Sequence, residues 1–131
     1  MMKDALISTA LAARAKAYAP YSRFQVGAAL RCDGEIYSGC NVENAAYPQG
    51  SCAEAGAISA MILAGGRQID AIVIVGGGEA ACTPCGGCRQ RLREFSSSSL
   101  PVTMVNPQGA VLLETTLGDL LPWSFGPENL A

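Results

Sequence analysis

The stretch DAIVIVG, residues 70–76, sets five consecutive apolar residues between an aspartate and a glycine. A strand with one wet face alternates apolar and polar residues, so a run without polar positions predicts a strand covered on both sides, at the centre of an α/β sheet. The flanking segments agree. Upstream, QVGAALRCDGEIYSGCNVE (25–43) reads as two antiparallel strands joined by a turn at Asp33-Gly34. A helix follows from about Cys52 to Ala64, with Ile58, Met61 and Ile62 on one face and Gly65-Gly66 as its stop. Downstream, Pro84 and Cys85 start a helix that runs to about Phe95, with Leu92 and Phe95 turned inward. PVTMVN (101–106) and AVLLETT (110–116) are two further strands, and LGDLLPWSFGPENL (117–130) is a short helix with an extended tail. At the other end, Ile7, Leu11, Ala15 and Tyr18 predict the buried face of an amphipathic first helix. The order predicts an α/β fold, a three-layer α-β-α sandwich with a mixed five-stranded sheet, formed by residues 1–131 as a single domain.

Composition narrows the function. Half of the 131 residues are hydrophobic and 15% are charged, against about 25% charged in typical soluble domains. So little polar surface predicts an oligomer with extensive covered area. The formal net charge is -2 and the nine basic residues are scattered, which argues against a nucleic acid polymer as partner. No apolar run is long enough to span a bilayer, so no membrane association is expected. Lys3 followed by apolar residues 5–13 has the outline of a short signal segment, but Arg14 and Lys16 interrupt it and the helix is the better reading. SSSS at 96–99 reads as a loop. The six cysteines are unevenly spread, with four around two short segments. That pattern favours reduced thiols in the cytoplasm and metal binding as their use.

Those two segments are GSCAEAGAIS (50–59) and CTPCGGCRQ (82–90). If Cys52 begins one helix, and Cys85 and Cys88 lie in the first turn of another, three sulfurs converge where two helix N-termini meet. Partial positive charge at such termini favours thiolates. Three protein ligands on zinc leave a fourth position for water, the catalytic rather than the structural arrangement. Glu54 then stands near the metal without binding it, able to pass protons between water and a substrate nitrogen. A structural zinc module using Cys52, Cys82, Cys85 and Cys88 is the rival, but it would close the open position and give Glu54 no task. An iron–sulfur reading of Cys82, Cys85 and Cys88 lacks a fourth nearby cysteine.

C-A-E at 52–54, followed thirty residues later by P-C-G-G-C at 84–88, resembles the zinc deaminase signature in its three-cysteine variant. YAPYSRFQVGAAL (18–30), GCNVENAAYP (39–48), PCGGCRQ (84–90) and FGP (125–127) resemble, in order and spacing, the small homotetrameric cytidine deaminases. The resemblance covers nearly the whole chain. It implies one Zn2+ per subunit on Cys52, Cys85 and Cys88, with Glu54 as the catalytic proton carrier. It also implies that Asn41 and Glu43 hold the ribose, that Phe24 packs on the pyrimidine face, and that the Ala53 backbone reads the base beside Glu54. Tyr47 and Phe125 match positions that complete pockets of neighbouring subunits in a homotetramer. The plainer alternatives are a core phenylalanine for Phe24, a solvated strand end for Asn41 and Glu43, and core or interface packing alone for Tyr47 and Phe125.

The implied reaction is hydrolytic deamination of cytidine and 2′-deoxycytidine to uridine and 2′-deoxyuridine with release of ammonia, a step of pyrimidine salvage. The implied partner is a small nucleoside. A blasticidin-type nucleoside-antibiotic deaminase is the nearest alternative, and Asn41 and Glu43 favour a sugar instead. One departure stands out: many three-cysteine members resemble C-A-E-R, whereas this chain has Ala55 after Glu54. Arg89, beside Cys88, is the nearest basic residue in sequence and is expected to offset the thiolate charge.

Overall fold

The computed structural model describes residues 2–130, and the elements run in the order α1 (Met2–Arg14), β1 (Gly27–Cys32), β2 (Glu35–Cys40), α2 (Ala53–Leu63), β3 (Ala71–Val75), α3 (Gly86–Glu94), β4 (Pro101–Val105), β5 (Val111–Thr116) and α4 (Leu117–Leu120). Single 3-10 turns occupy Tyr47–Gln49 and Pro127–Asn129. The sheet order is β2-β1-β3-β4-β5, so the apolar run at 71–75 is the central strand. It pairs parallel to β4 and antiparallel to β1, and both outer pairs are antiparallel. The expected mixed five-stranded sheet is therefore present.

The reason β3 tolerates no polar residue lies in its two neighbours. Ile72 and Ile74 join a core with Ile58 and Met61 of α2 and Leu92 of α3. Val73 and Val75 face the other way, onto Leu6 and Ala10 of α1. Helices thus cover both faces of the sheet, α1 on one and α2 with α3 on the other. The turn between β1 and β2 has positive φ at both central residues, 52° at Asp33 and 80° at Gly34, the geometry that an aspartate–glycine pair accepts readily.

The first helix departs from expectation. Leu6 and Ala10 are its buried residues, Ile7 and Leu11 only flank them, and Ala15 and Tyr18 lie beyond its end at Arg14. The cause is close packing: a β-carbon at Gly27 would stand 2.2 Å from the Ala10 carbonyl oxygen. Only small residues fit a crossing that tight. The same device seats α2, where a β-carbon at Gly39 would meet Ala57 N at 2.4 Å and Ala53 O at 2.5 Å. The first turn of α2 is thereby fixed against β2, and with it the cysteine and glutamate that open the helix.

Candidate active site

Cys52 and Cys85 are the residues immediately before α2 and α3, both with extended backbone, and neither side chain caps its helix. Their sulfurs are therefore free to face each other. Cys88, in the first turn of α3, is fully buried and turns its sulfur to the same point. The three Sγ atoms lie within 4.8 Å of one another, and Cys52 Sγ and Cys85 Sγ are 3.8 Å apart. Two sulfurs each about 2.3 Å from a tetrahedral zinc stand about 3.8 Å apart, so the spacing suits that ion.

The electrostatics point the same way. Burial pushes the Cys52 and Cys88 thiols above their ordinary range. At Cys85 burial also acts upward, but hydrogen bonds from the Cys88 backbone and the neighbouring sulfurs outweigh it, and the net shift is downward. Cys85 thus ionises more readily, whereas Cys52 and Cys88 resist ionisation until a cation holds them as thiolates, and a divalent ion that favours sulfur does so. The residues present fit zinc.

Glu54, in the first turn of α2, is 4% exposed. Burial raises its carboxyl above the usual range, opposed by its own backbone N–H, by Cys88 and by the positive charge of Arg91. A carboxyl with raised proton affinity in a closed site is suited to carry protons near neutral pH.

Above the sulfurs opens a cavity of about 590 Å³, lined at its base by Cys52, Ala53, Glu54 and Cys85 and at its walls by Asn41, Glu43 and Tyr47. That volume lies within the usual range for a small-molecule site, about 300–1,000 Å³. Asn41 and Glu43 leave the end of β2 to grip the segment before β1. The Asn41 side chain accepts from Val26 N at 2.8 Å and donates to Phe24 O at 2.8 Å. The Glu43 carboxylate accepts from the backbone N–H groups of Tyr21 and Ser22, at 2.9 and 3.1 Å, and from the Ser22 hydroxyl. The Ser22 hydroxyl, ahead of these backbone donors, holds the Glu43 carboxyl below its ordinary range. Tyr47 meets Tyr21 edge-to-face, with ring centroids 6.4 Å apart.

Tyr21, Ser22 and Val26 also line the cavity, and sequence reasoning did not single them out. Their signal was available in YAPYSRFQV, which places them two or three residues from Phe24. Phe24 itself is 44% exposed, with its ring beside Gly76 and Gly77, and is not among the cavity-lining residues. Phe125 lies on the C-terminal tail, where Gln90 donates to its carbonyl, and its side chain is also apart from this cavity. Cys82 borders the cavity but is outside the group of converged sulfurs, its side chain packed at Gly76 beyond the end of β3.

Arg89 does not reach the sulfurs. Its guanidinium donates to Pro84 O at 2.7 Å and Leu120 O at 2.8 Å, tying the start of α3 to α4. The side chain that does reach them is Arg91, whose Nη1 donates to Cys88 Sγ at 3.6 Å. Residues one apart on a helix diverge, and residues three apart share a face.

A family model described as the cytidine and deoxycytidylate deaminase zinc-binding region matches residues 2–104. Cytidine deaminase of Sporosarcina psychrophila is 44% identical over 129 residues, covering 98% of this chain and 94% of that protein. Cytidine deaminase of Mycobacterium tuberculosis is 43% identical over 127 residues, covering 95% and 90%. Among solved structures, the cytidine deaminase from Burkholderia pseudomallei superposes with a TM-score of 0.89 at 48% identity, covering 95% of this chain and 100% of that one.

Proposed function

This chain belongs to the cytidine and deoxycytidylate deaminase family, and from that membership we propose that it hydrolyses cytidine and 2′-deoxycytidine to the corresponding uridines with release of ammonia. The observation that carries this reading is the buried Glu54 carboxyl in the same helical turn as one of three converged sulfurs, at the base of a cavity of nucleoside size.

Zinc on Cys52, Cys85 and Cys88 would supply a Lewis acid that activates water at neutral pH. The chain's own residues do the rest. Glu54 takes a proton as water adds to C4 of the base and gives it to N3, then moves the proton of the new C4 hydroxyl to the amino nitrogen, which leaves as ammonia while C4 becomes a carbonyl. Its burial suits both halves of the task, since a carboxyl poised to hold a proton also delivers one. The backbone of Ala53, next in the same turn, lies where it can orient the base at the cavity floor. Asn41 and Glu43 keep donor and acceptor capacity beyond the backbone groups they grip, and we assign them to the sugar hydroxyls.

Under this proposal Tyr47 and Phe125 complete pockets across an assembly of four subunits, and Phe24 packs on the pyrimidine face. The exposure of Tyr47 and Phe125 in the isolated chain, 77% and 56%, supports burial by neighbours. All six cysteines are unpaired, and among the described residues no helix is long and apolar enough to cross a membrane. The unpaired cysteines support a reducing, cytoplasmic setting, and the proposed reaction gives the chain a role in pyrimidine salvage. Residues 1–131 act as one catalytic domain in this scheme.

The test is direct. Purified protein is incubated with cytidine, 2′-deoxycytidine, cytosine and blasticidin S while absorbance is followed. Turnover of the two nucleosides with little of the free base is expected. Turnover of blasticidin S alone would establish the antibiotic-directed alternative, and turnover of none in zinc-loaded protein would leave a structural zinc module.

A further inference from the structure

Three thiolates on a divalent zinc carry a formal charge of -1. Such a site is costly to hold in a half-buried position without a counter-charge. The two helix N-termini contribute partial positive charge. Position 55, one residue beyond Glu54, is alanine and contributes none.

The remaining candidates are the basic side chains, and most are committed elsewhere. Lys3 pairs with Glu114, Arg14 and Arg67 donate to backbone carbonyls, Arg89 holds Pro84 and Leu120, and Arg93 binds Ser124 and Glu128. Among the described residues, Arg91 is the basic side chain with a hydrogen bond to one of the three sulfurs. Its path is fixed by the helix. Long side chains on a helix lean toward its N-terminus, and Cys88 lies three residues back on the same face. Gly87 leaves the lane open: a β-carbon there would come within 3.1 Å of Arg91 Nη1. The guanidinium thus lies along the first turn of α3, against the sulfur of Cys88.

We propose that Arg91 is the positioning residue that supplies the counter-charge of the thiolate set, donating to Cys88 Sγ and so stabilising the zinc-loaded site. The inference rests on Cys52, Cys85 and Cys88 being the metal ligands. A cation beside the sulfurs favours the anionic zinc complex over the neutral protonated thiols, and its hydrogen bond draws electron density from one sulfur. Both effects are properties of the metal site itself, readable without any substrate.

The experiment uses zinc-loaded protein mixed with a chromogenic chelator, and cobalt-substituted protein examined by absorption. Partners of this kind are typically worth about 10- to 100-fold in metal affinity. Arg91→Gln is expected to give up zinc about tenfold more readily, and its sulfur-to-cobalt charge-transfer band should move to lower energy as the sulfur loses its donor. Arg91→Lys, which keeps the charge, should stay near the wild type in zinc retention. Unchanged retention and spectrum in Arg91→Gln, or equal loss in Arg91→Gln and Arg91→Lys, would overturn the proposal. A wild-type cobalt protein without sulfur charge-transfer bands would instead remove the ligand assignment on which it rests.

Discussion

Gly39 of β2 packs so tightly beneath Ala57 of α2 that a β-carbon at position 39 would lie 2.4 Å from the Ala57 amide nitrogen. Both partners are backbone, so neither side can yield by changing a rotamer. Gly39→Ala must lift the start of α2 off the sheet, and that turn carries Cys52 and Glu54. Overpacking costs about 1–3 kcal/mol even where side chains can adjust, so the loss here should reach at least the upper end. Thermal melting should show it, together with reduced zinc content. Gly86→Ala is the control, because a β-carbon at Gly86 meets nothing within 4 Å. Equal effects of the two substitutions would contradict the account.

Glu54→Gln should keep the fold and the metal and lose about 10²- to 10⁴-fold in turnover, the usual worth of positioned proton transfer. The amide matches the neutral carboxyl that burial favours, so the melting temperature should not fall. Zinc analysis beside steady-state kinetics separates the cases, since loss of metal from this variant would make Glu54 a ligand. Cys82→Ser belongs in the same series. Its sulfur packs at Gly76 outside the converged group, and the variant should retain both zinc and activity.

The contrast between Cys88 and Arg91 on one side and α1 on the other shows where sequence reasoning reaches. The central strand and its hairpin neighbour were legible because two-sided burial and an aspartate–glycine turn leave compositional marks. The three cysteines were legible because thiolates near helix starts have few uses. Arg89 misled because adjacency along a helix is divergence in space, and the i, i+3 partner Arg91 is the one that returns to Cys88. In α1 the buried positions were Leu6 and Ala10 rather than the larger Ile7 and Leu11. Apolar periodicity weights side-chain size, whereas that helix is placed by backbone contact with Gly27. Ser22 was missed because a single serine in a loop carries no period at all, and only the fold brings it under Glu43.

The Glu43 clasp gives a pH dependence whose sign can be worked out. Its carboxyl is held below the ordinary range by the Ser22 hydroxyl and by the backbone N–H groups of Ser22 and Tyr21. A folded pKa below the unfolded one means stabilisation that is complete above the unfolded pKa and lost as pH falls through the folded one. The segment 21–26 should therefore stay ordered into mildly acidic solution and loosen below it. With Ser22→Ala the principal cause of the shift is gone, so loosening should begin at higher pH. KM for cytidine, measured along an acid series, should rise earlier in Ser22→Ala than in the wild type while kcat changes less. Parallel KM profiles would mean that the serine has no part in holding the carboxylate.

The C-terminal tail is anchored to the same helix that carries Cys88. Gln90 donates to Phe125 O at 2.9 Å, and Arg93 donates to Ser124 Oγ at 2.8 Å and pairs with Glu128. Between these anchors and α4 stands Trp123, fully exposed in the single chain and held at a positive φ of 54°. A tryptophan in that conformation is strained, and exposing its full apolar area to water is costly. Under the proposed assembly a neighbouring subunit covers that area. Trp123→Ala, and more strongly deletion of residues 122–131, should shift sedimentation toward smaller species and raise KM together, because under the proposed assembly the tail both joins subunits and carries Phe125 to a neighbour's pocket. Arg93→Ala should act in the same direction more weakly by freeing the tail at one anchor. A Trp123→Ala protein that sediments as the wild type does, with KM unchanged, would return the tail to a packing role within its own subunit.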